Sequence, residues 1–407
     1  MIDPKELIKN TSVEELSQTA ENYFAEVDNS DFLMAKPFSN FQDMPHILQN
    51  MGALLAGLRL EKSMTVLEFA AGSCWFSRYL YQAQCQTISC DVSSTALEIG
   101  RQLFDQQPII GEGIGKPRFL LFDGYKIDLP DESVDRIVCH DAFHHIPNQR
   151  VVLAELSRVL KPGGIAGFSE PGRYHSRTAQ SQSEMKAYGV LENDIFLEDI
   201  YRIARDCGFT DIRIKLHNDM DVSIDQYQSI ILEGSRVQRW LKSKFIKNSR
   251  LANTIYDHTR KTLINKTVFF LYKGKQEYDS RGTVGLDYSM SSKQTKRVVH
   301  AGENVDIGLK ITNSGSAKWL DDNINDIGVV KIGTHVFDAN DKLVGADFSR
   351  HHFPRAIAAG EKVKQEINVC FSEVGNYHLV IDLVSEGICW FEQLGVKPLI
   401  IDIEVRA

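Results

Sequence analysis

Cysteine is scarce and unpatterned. Seven occur in 407 residues, at Cys74, Cys85, Cys90, Cys139, Cys207, Cys370 and Cys389, and no two form a C-x-x-C pair. An odd count without that spacing argues against a disulfide framework and a cysteine-built zinc site, so no metal is expected. Long apolar runs are also missing. No window reaches the roughly 18 uninterrupted apolar residues that a membrane helix needs, so no integral membrane partner is expected. The opening MIDPKELIKN lacks the apolar core of a signal peptide, which makes the cytoplasm the expected compartment. Surplus positive charge is absent too. The formal charge is −8, and from Arg281 onward 17 acids face 14 bases. Neither part of the chain suits binding to a phosphate backbone, and nucleic acid is not an expected partner.

What remains is a soluble globular composition, 43% hydrophobic and 25% charged, with length enough for two or three domains. Residues 1–60 read as a helical cap, with amphipathic spacing in VEELSQTAENYFAEV and MPHILQNMGALLAGLRL. From Thr65 strands and helices alternate. MTVLEFA, QTISCDV, RFLLFDG, VDRIVCHDA and IAGFSE read as strands, and the Pro-Gly-Gly at 162–164 stops the helix of RVVLAELSRVL. Repeated strand–helix–strand units predict an α/β domain with a doubly wound parallel sheet. A further helix, a strand at DIRIKLH, about 50 helical residues that include YQSIILEGSRVQRWLKSKF, and a strand at KTVFFLYKG complete it. The expected division is 1–60 cap, 61–275 catalytic domain, 276–282 linker and 283–407 β-sandwich. In the last part the period becomes two, as in ENVDIGLKITNSG and NYHLVIDLVSEG, with turns at short intervals.

The chemistry-bearing residues gather where the predicted strands end. Val66 to Cys74 is a strand running into a small-residue turn and then a helix, a setting in which backbone N–H groups can meet a nucleotide-like ligand. Asp91 ends the second predicted strand, where a carboxylate can accept both hydroxyls of a ribose. Asp123 ends the third, where it can accept the amine of an adenine. The bland alternative, that each acid caps the following helix, is weaker for Glu68, Asp91 and Asp123 together than for any one alone. A dinucleotide dehydrogenase is disfavoured, since only Gly72 of a G-x-G-x-x-G fingerprint is present.

Residues 64–170 resemble a class I S-adenosylmethionine-dependent methyltransferase. The resemblance rests on VLEFAAGSC, ISCDVS, FLLFDGYKIDLPDESVDRIVCHDAFHHIP and RVLKPGGIAGFSEP, in the family's order and spacing. It implies a Rossmann-like fold with S-adenosyl-L-methionine as cofactor. Glu68 and the turn through Ala70, Gly72 and Ser73 would hold the methionine part, Asp91 the ribose, and Asp123 with Gly124 the adenine. His140 would line the pocket. The family commonly carries glycine where Ala70 and Cys74 stand. Alanine is expected to be tolerable there if φ stays negative, and the bulkier Cys74 to reshape the pocket slightly.

The acceptor is expected on the same rim. A hydroxyl acceptor gains most from a base, and the candidates are His145, Glu170, His144 and His175, with Asp141 nearby. The segment after the fifth strand is unusually polar, with Arg173, Ser176, Arg177, Gln180, Gln182, Glu184 and Asn193. Tyr23, Phe38 and Phe41 of the cap are candidate lid residues. A saccharide or saccharide-linked acceptor fits this lining. A natural-product methyltransferase and a non-catalytic scaffold are the alternatives. The C-terminal part resembles immunoglobulin-like modules with an N-x-G-x-x-x-W turn at Asn313, Gly315 and Trp319. Such modules attached to methyltransferases look like those of bacterial polysaccharide enzymes. Trp390 and Arg350-His351-His352 are further candidates for sugar contact, and the sandwich is a candidate surface for self-association.

Overall fold

The computed structural model describes residues 1–27, 29–109, 114–216, 224 and 250–407. The helix expected at YQSIILEGSRVQRWLKSKF lies outside the described residues. The chain forms two compact units. One comprises Met1–Leu60, Met64–Gln82 and Gln86–Gln276, and the other Glu61–Ser63, Ala83–Cys85 and Glu277–Ala407. No described helix is long and apolar enough to cross a membrane.

The first unit is built on seven strands: β1 (Thr65–Phe69), β2 (Gln86–Asp91), β3 (Arg118–Leu121), β4 (Val134–His140), β5 (Leu160–Pro171), β6 (Asp211–Lys215) and β7 (Lys266–Tyr272). Their order in the sheet is β3-β2-β1-β4-β5-β7-β6. Pairings among β1 to β5 are parallel, whereas β7 is antiparallel to both β5 and β6. The expectation of a wholly parallel sheet therefore fails at β7 alone. The central strands are buried on both faces, which is why Thr65–Phe69 and Val134–His140 read as apolar runs without alternation. The core holds Leu67, Phe69, Ile137, Phe143, Leu153, Phe168 and Phe269, all at most 1% exposed.

Helices α5 (Trp75–Gln82) and α6 (Ser94–Gln106) follow β1 and β2. The N-terminal part forms α1 (Pro4–Asn10), α2 (Val13–Ala25), α3 (Asp31–Met34) and α4 (Met44–Leu58). Ser12 starts α2 with a reciprocal cap: its hydroxyl accepts from the Glu15 amide, and the Glu15 carboxylate accepts from the Ser12 amide. Helix α4 stops at Arg59, which takes the left-handed conformation at φ 50°, a few residues before the predicted end. Helices α7 (Gln149–Val159), α8 (Ala179–Tyr188), α9 (Leu197–Asp206) and α10 (Arg250–Asn265) complete this unit among the described residues.

The second unit has a three-stranded sheet, in order β13 (Lys362–Cys370), β10 (Asn304–Asn313) and β8 (Tyr288–Ser292), and a six-stranded sheet, in order β12 (Leu343–His352), β11 (Val330–Asp338), β14 (Gly375–Ser385), β16 (Leu399–Arg406) and β9 (Lys296–His300) with β15 (Cys389–Trp390) paired to β14, in which only β16 and β9 are parallel. One apolar core joins residues of both, including Ile307, Leu309, Ile332, Leu379, Ile381 and Ile401. Strand β10 (Asn304–Asn313) alternates buried and exposed positions along most of its length, the pattern that made it legible. Strand β12 (Leu343–His352) has almost no buried position and was not among the predicted strands. Trp319 is fully buried against Phe353 and Phe391. Asn313 shapes its turn, donating to the Ala317 carbonyl at 2.9 Å and accepting from the Gly315 amide at 3.2 Å. Trp390 is only half-buried. The Arg350 guanidinium lies 4.2 Å from its ring centre and His335 stacks at 4.1 Å. The stretch expected as linker is bound into this unit, since buried Ser280 donates to the Gly328 carbonyl and accepts from the Leu320 amide.

Candidate active site

The C-terminal ends of β1, β2 and β4 present one rim. After β1 the chain turns through Ala70 to Cys74 before entering α5. Three residues of this turn have positive φ: Ala70 at 53°, Gly72 at 50° and Cys74 at 56°. Ala70 and Cys74 therefore stand in the left-handed region, so the condition of negative φ set for alanine is not met at Ala70. A side chain there costs about 1–2 kcal/mol per residue. The Cys74 side chain is fully buried. Its sulfur packs with Ala71 and Leu97 and fills the space above Gly100 of α6, where an added Cβ would lie 2.4 Å from Sγ. The absence of a side chain at Gly100 is what admits the sulfur.

Two buried acids hold this turn and the helix after it. Asp91 accepts the Gly72 amide at 2.7 Å on Oδ2 and the Ser93 amide at 2.9 Å on Oδ1. Glu68 accepts the Ser77 amide at 2.7 Å. Burial pushes the Glu68 carboxyl up to about 7 despite those Ser77 bonds. Burial likewise raises Asp91, with the Ser93 and Gly72 amides pulling it back. Asp123 is exposed and accepts the Lys126 and Tyr125 amides, which hold it below its ordinary value. Gly124, at φ 91°, faces the Val13 side chain of α2. His140 meets Trp75 edge-on at 5.3 Å, its Nε2 is buried without a hydrogen-bond partner among the described residues, and burial lowers its pKa to about 4.

Helix α2 lies over this end. Glu21 accepts from the Ser93 and Thr95 hydroxyls, each at 2.6 Å, and from the Thr95 amide at 3.2 Å, so it caps α6 from outside. Phe24 stands 3.4 Å from where a Cβ on Gly72 would sit. Of the expected lid residues, Phe38 and Phe41 are 59% and 86% exposed, and Tyr23 packs edge-on against Phe24 and Tyr188. Phe24 and Glu21 were missed. The signal available was their spacing on the amphipathic α2, which marks a buried face without saying against what.

The remaining candidates gather at the end of β4 and β5. Glu170 is fully buried. Its Oε1 accepts the Ala142 and Phe143 amides at 3.1 and 2.9 Å, and its Oε2 accepts the His144 amide at 3.2 Å and lies 2.8 Å from His144 Nδ1. Burial opposes its charge, but the bond and charge of His144 hold it below the usual carboxylate value. His144 is buried and raised: burial opposes that charge and Glu170 outweighs it. His145 Nδ1 lies 2.5 Å from the Leu191 carbonyl, and its pKa is lowered, first by burial and then by the charge of His144. His175 Nε2 lies 2.6 Å from Glu192 Oε2. Asp141 instead pairs with Lys266 at 2.6 Å.

Glu192 was not a predicted site residue, yet His144, His145 and His175 all approach it, at 3.8, 3.5 and 2.6 Å. It sits in a segment without periodicity, so nothing in its sequence setting marks it. Much of the expected polar lining is occupied locally. Arg173 pairs with Glu198, the Ser176 amide with Asp194, Gln180 with Glu184, and Gln182 with the backbone of Ile2 and Ser176.

Comparison with known proteins places this rim in a wider group. Residues 67–168 match a family model described as a methyltransferase domain. A demethylmenaquinone methyltransferase of Streptomyces griseus is 28% identical over 138 residues, 33% of this chain and 56% of that protein. An arsenite methyltransferase of Aquipseudomonas alcaligenes is 25% identical over 232 residues, 51% of this chain and 66% of that protein. The chain thus spans little more than half the length of the first of these relatives. Among solved structures, a Haemonchus contortus phosphoethanolamine N-methyltransferase 2, in complex with phosphomonomethylethanolamine and S-adenosylhomocysteine, covers 63% of this chain and 61% of its own. Its identity is 15% and its TM-score 0.42. The matched segment contains the turn after β1, both buried acids, Asp123 and the His144–His145 pair. Residues 67–168 are thus similar to methyltransferase domains, and the relatives named here are themselves methyltransferases.

Proposed function

We propose that this chain transfers the methyl group of S-adenosylmethionine to an oxygen of a small, hydroxyl-bearing acceptor, with a saccharide or saccharide-linked compound first among the candidates. The observation that carries the reading is the turn at Ala70–Cys74, held in its left-handed conformation by Asp91 through the Gly72 amide. A chain that keeps two non-glycine residues in that region retains the strain for a use. Bound S-adenosylmethionine would supply an electrophilic methyl on a sulfonium. Each Asp91 oxygen carries one amide bond and keeps lone-pair capacity for a ribose hydroxyl. Glu68 is a buried carboxyl whose ionisation a nearby ammonium would favour. Asp123 and Gly124 would meet the adenine, and His140 Nε2 is a buried polar atom in want of a partner.

On the acceptor side, His145 is the base. Its Nδ1–H donates to the Leu191 carbonyl, which leaves the lone pair on Nε2 to take the acceptor's proton. Its lowered pKa keeps the ring neutral near pH 7. Glu170 is a positioning residue in this scheme, since its oxygens are taken by three amides and His144. The immunoglobulin-like character of the second unit, and a part for it in holding a glycan, belong to the same proposal. Trp390 under Arg350 is its best candidate contact.

The test is an acceptor screen with isotopically labelled cofactor over sugar nucleotides, glycans and small metabolites. Label transfer to a sugar hydroxyl, reduced at least tenfold in kcat by His145→Ala with cofactor affinity unchanged, is the expected result. Failure of the purified protein to bind S-adenosylhomocysteine would overturn the reading. Transfer to a carbon or nitrogen acceptor would overturn the choice of atom.

A further inference from the structure

The geometry points to a binding site for one divalent transition-metal ion between His144, His145 and Glu192. One imidazole nitrogen from each histidine and one Glu192 oxygen lie within 4.8 Å of one another. His144 Nε2 stands 3.8 Å from Glu192 Oε2, and His145 Nδ1 stands 3.5 Å from Oε1. Around tetrahedral zinc, with bonds of about 2.0–2.1 Å, ligand atoms stand roughly 3.3 Å apart. These two spacings are close to that edge, and loading would require His145 Nδ1 to exchange its 2.5 Å contact with the Leu191 carbonyl for the ion.

Two features favour an ion over a mere polar cluster. Glu192 is 2% exposed, and its Oε1 has no hydrogen-bond partner among the described residues. A buried carboxylate oxygen without a partner is unfavourable, and a cation at that oxygen would offset the cost. Second, the neighbours are braced as metal ligands are. The Nδ1 of His144 is held by Glu170 at 2.8 Å, which leaves Nε2 free to ligate, and the other Glu192 oxygen is held by His175 at 2.6 Å. A carboxylate behind a ligating histidine is the usual outer support of such sites.

Two imidazoles and one carboxylate suit zinc or a neighbouring first-row ion and not magnesium, which prefers oxygen ligands. A fourth position would remain open, and of the three ligands only His145 is half-exposed. A reading based on cysteine spacing does not see this set, because it contains no sulfur. If methyl transfer holds as proposed above, an acceptor oxygen at the open position would lose its proton more readily, and the ion would replace His145 as the activating group. Metal binding itself does not rest on that reading.

The test titrates chelator-treated full-length protein with Zn2+ against a competing indicator and records the Co2+ spectrum of a parallel sample. One equivalent is expected, with intense tetrahedral Co2+ bands. Glu192→Gln and His145→Gln should each abolish the tight equivalent. Glu170→Gln should weaken it about 10–100-fold. S-adenosylhomocysteine binding, measured on the same samples, reports separately on the methyltransferase reading and on folding of each variant. Wild type that takes up no Zn2+ at micromolar free metal would overturn the site. So would folded Glu192→Gln and His145→Gln variants that bind Zn2+ like the wild type.

Discussion

The two ends of the strand rim are built differently. At the β1–β2 end each acid bonds backbone within ten residues of it, with the Gly72 amide on Asp91 as the one longer reach. Asp91 takes Ser93, Asp123 takes Tyr125 and Lys126, and Glu68 takes Ser77. At the β4–β5 end the contacts join distant segments. Glu170 reaches back to 142–144, and Glu192 gathers three histidines from two loops. Local satisfaction lets a segment carry its own geometry and show it as a motif. Long-range satisfaction makes geometry a property of packing.

That contrast can be broken most severely at Glu170. Glu170→Ala removes a buried charge and strands three amides and His144, so denaturant unfolding should show a loss of about 3–5 kcal/mol. Unchanged stability would mean that the loop at 142–144 is held by something else. Asp91→Ala should act mainly on the ligand. Calorimetry with S-adenosylhomocysteine should give an affinity lower by about 1.5–3 kcal/mol, the loss of a charged acceptor for two hydroxyls.

A third test uses pH. The folded Glu68 carboxyl is raised from 4.5 to about 7, so the folded state binds its proton more tightly than the unfolded chain. The resulting stabilisation is complete below about pH 4.5 and is lost as pH rises through 7. Wild type should therefore lose about 1–3 kcal/mol between pH 4.5 and 8 that Glu68→Gln does not lose. Parallel pH curves for the two proteins would refute the assignment. The smallest effect belongs to the strained turn. Ala70→Gly removes the left-handed penalty but loosens the unfolded chain, and the net gain should stay under about 1 kcal/mol in thermal unfolding.

The same contrast explains what could be read in advance. Strands β1, β2 and β4 announced themselves as apolar runs, and Asp91 and Asp123 by their place at strand ends. The reversed direction of β7 was not legible, because VFFL looks the same in either orientation. The exposed β12 had no alternation to show. The positive φ at Ala70 was not legible, because the turn is bonded from a distance, by Asp91 to the Gly72 amide, and alanine itself does not announce it. Glu192 escaped because its partners come from loops that only the fold brings together.

The sulfur of Cys74 above Gly100 has a consequence for how this chain can vary. A larger residue at Gly100 is barred while the cysteine stays, since a Cβ there would fall 2.4 Å from Sγ. Restoring glycine at 74 alone would relax the turn but leave a hole beside Leu97 and Phe119. Neither single step improves the packing, whereas the exchange of Cys74 for glycine with Gly100 for alanine moves the missing volume from one element to the other. The two positions are thus epistatic, and substitutions tolerated at one should depend on the residue at the other.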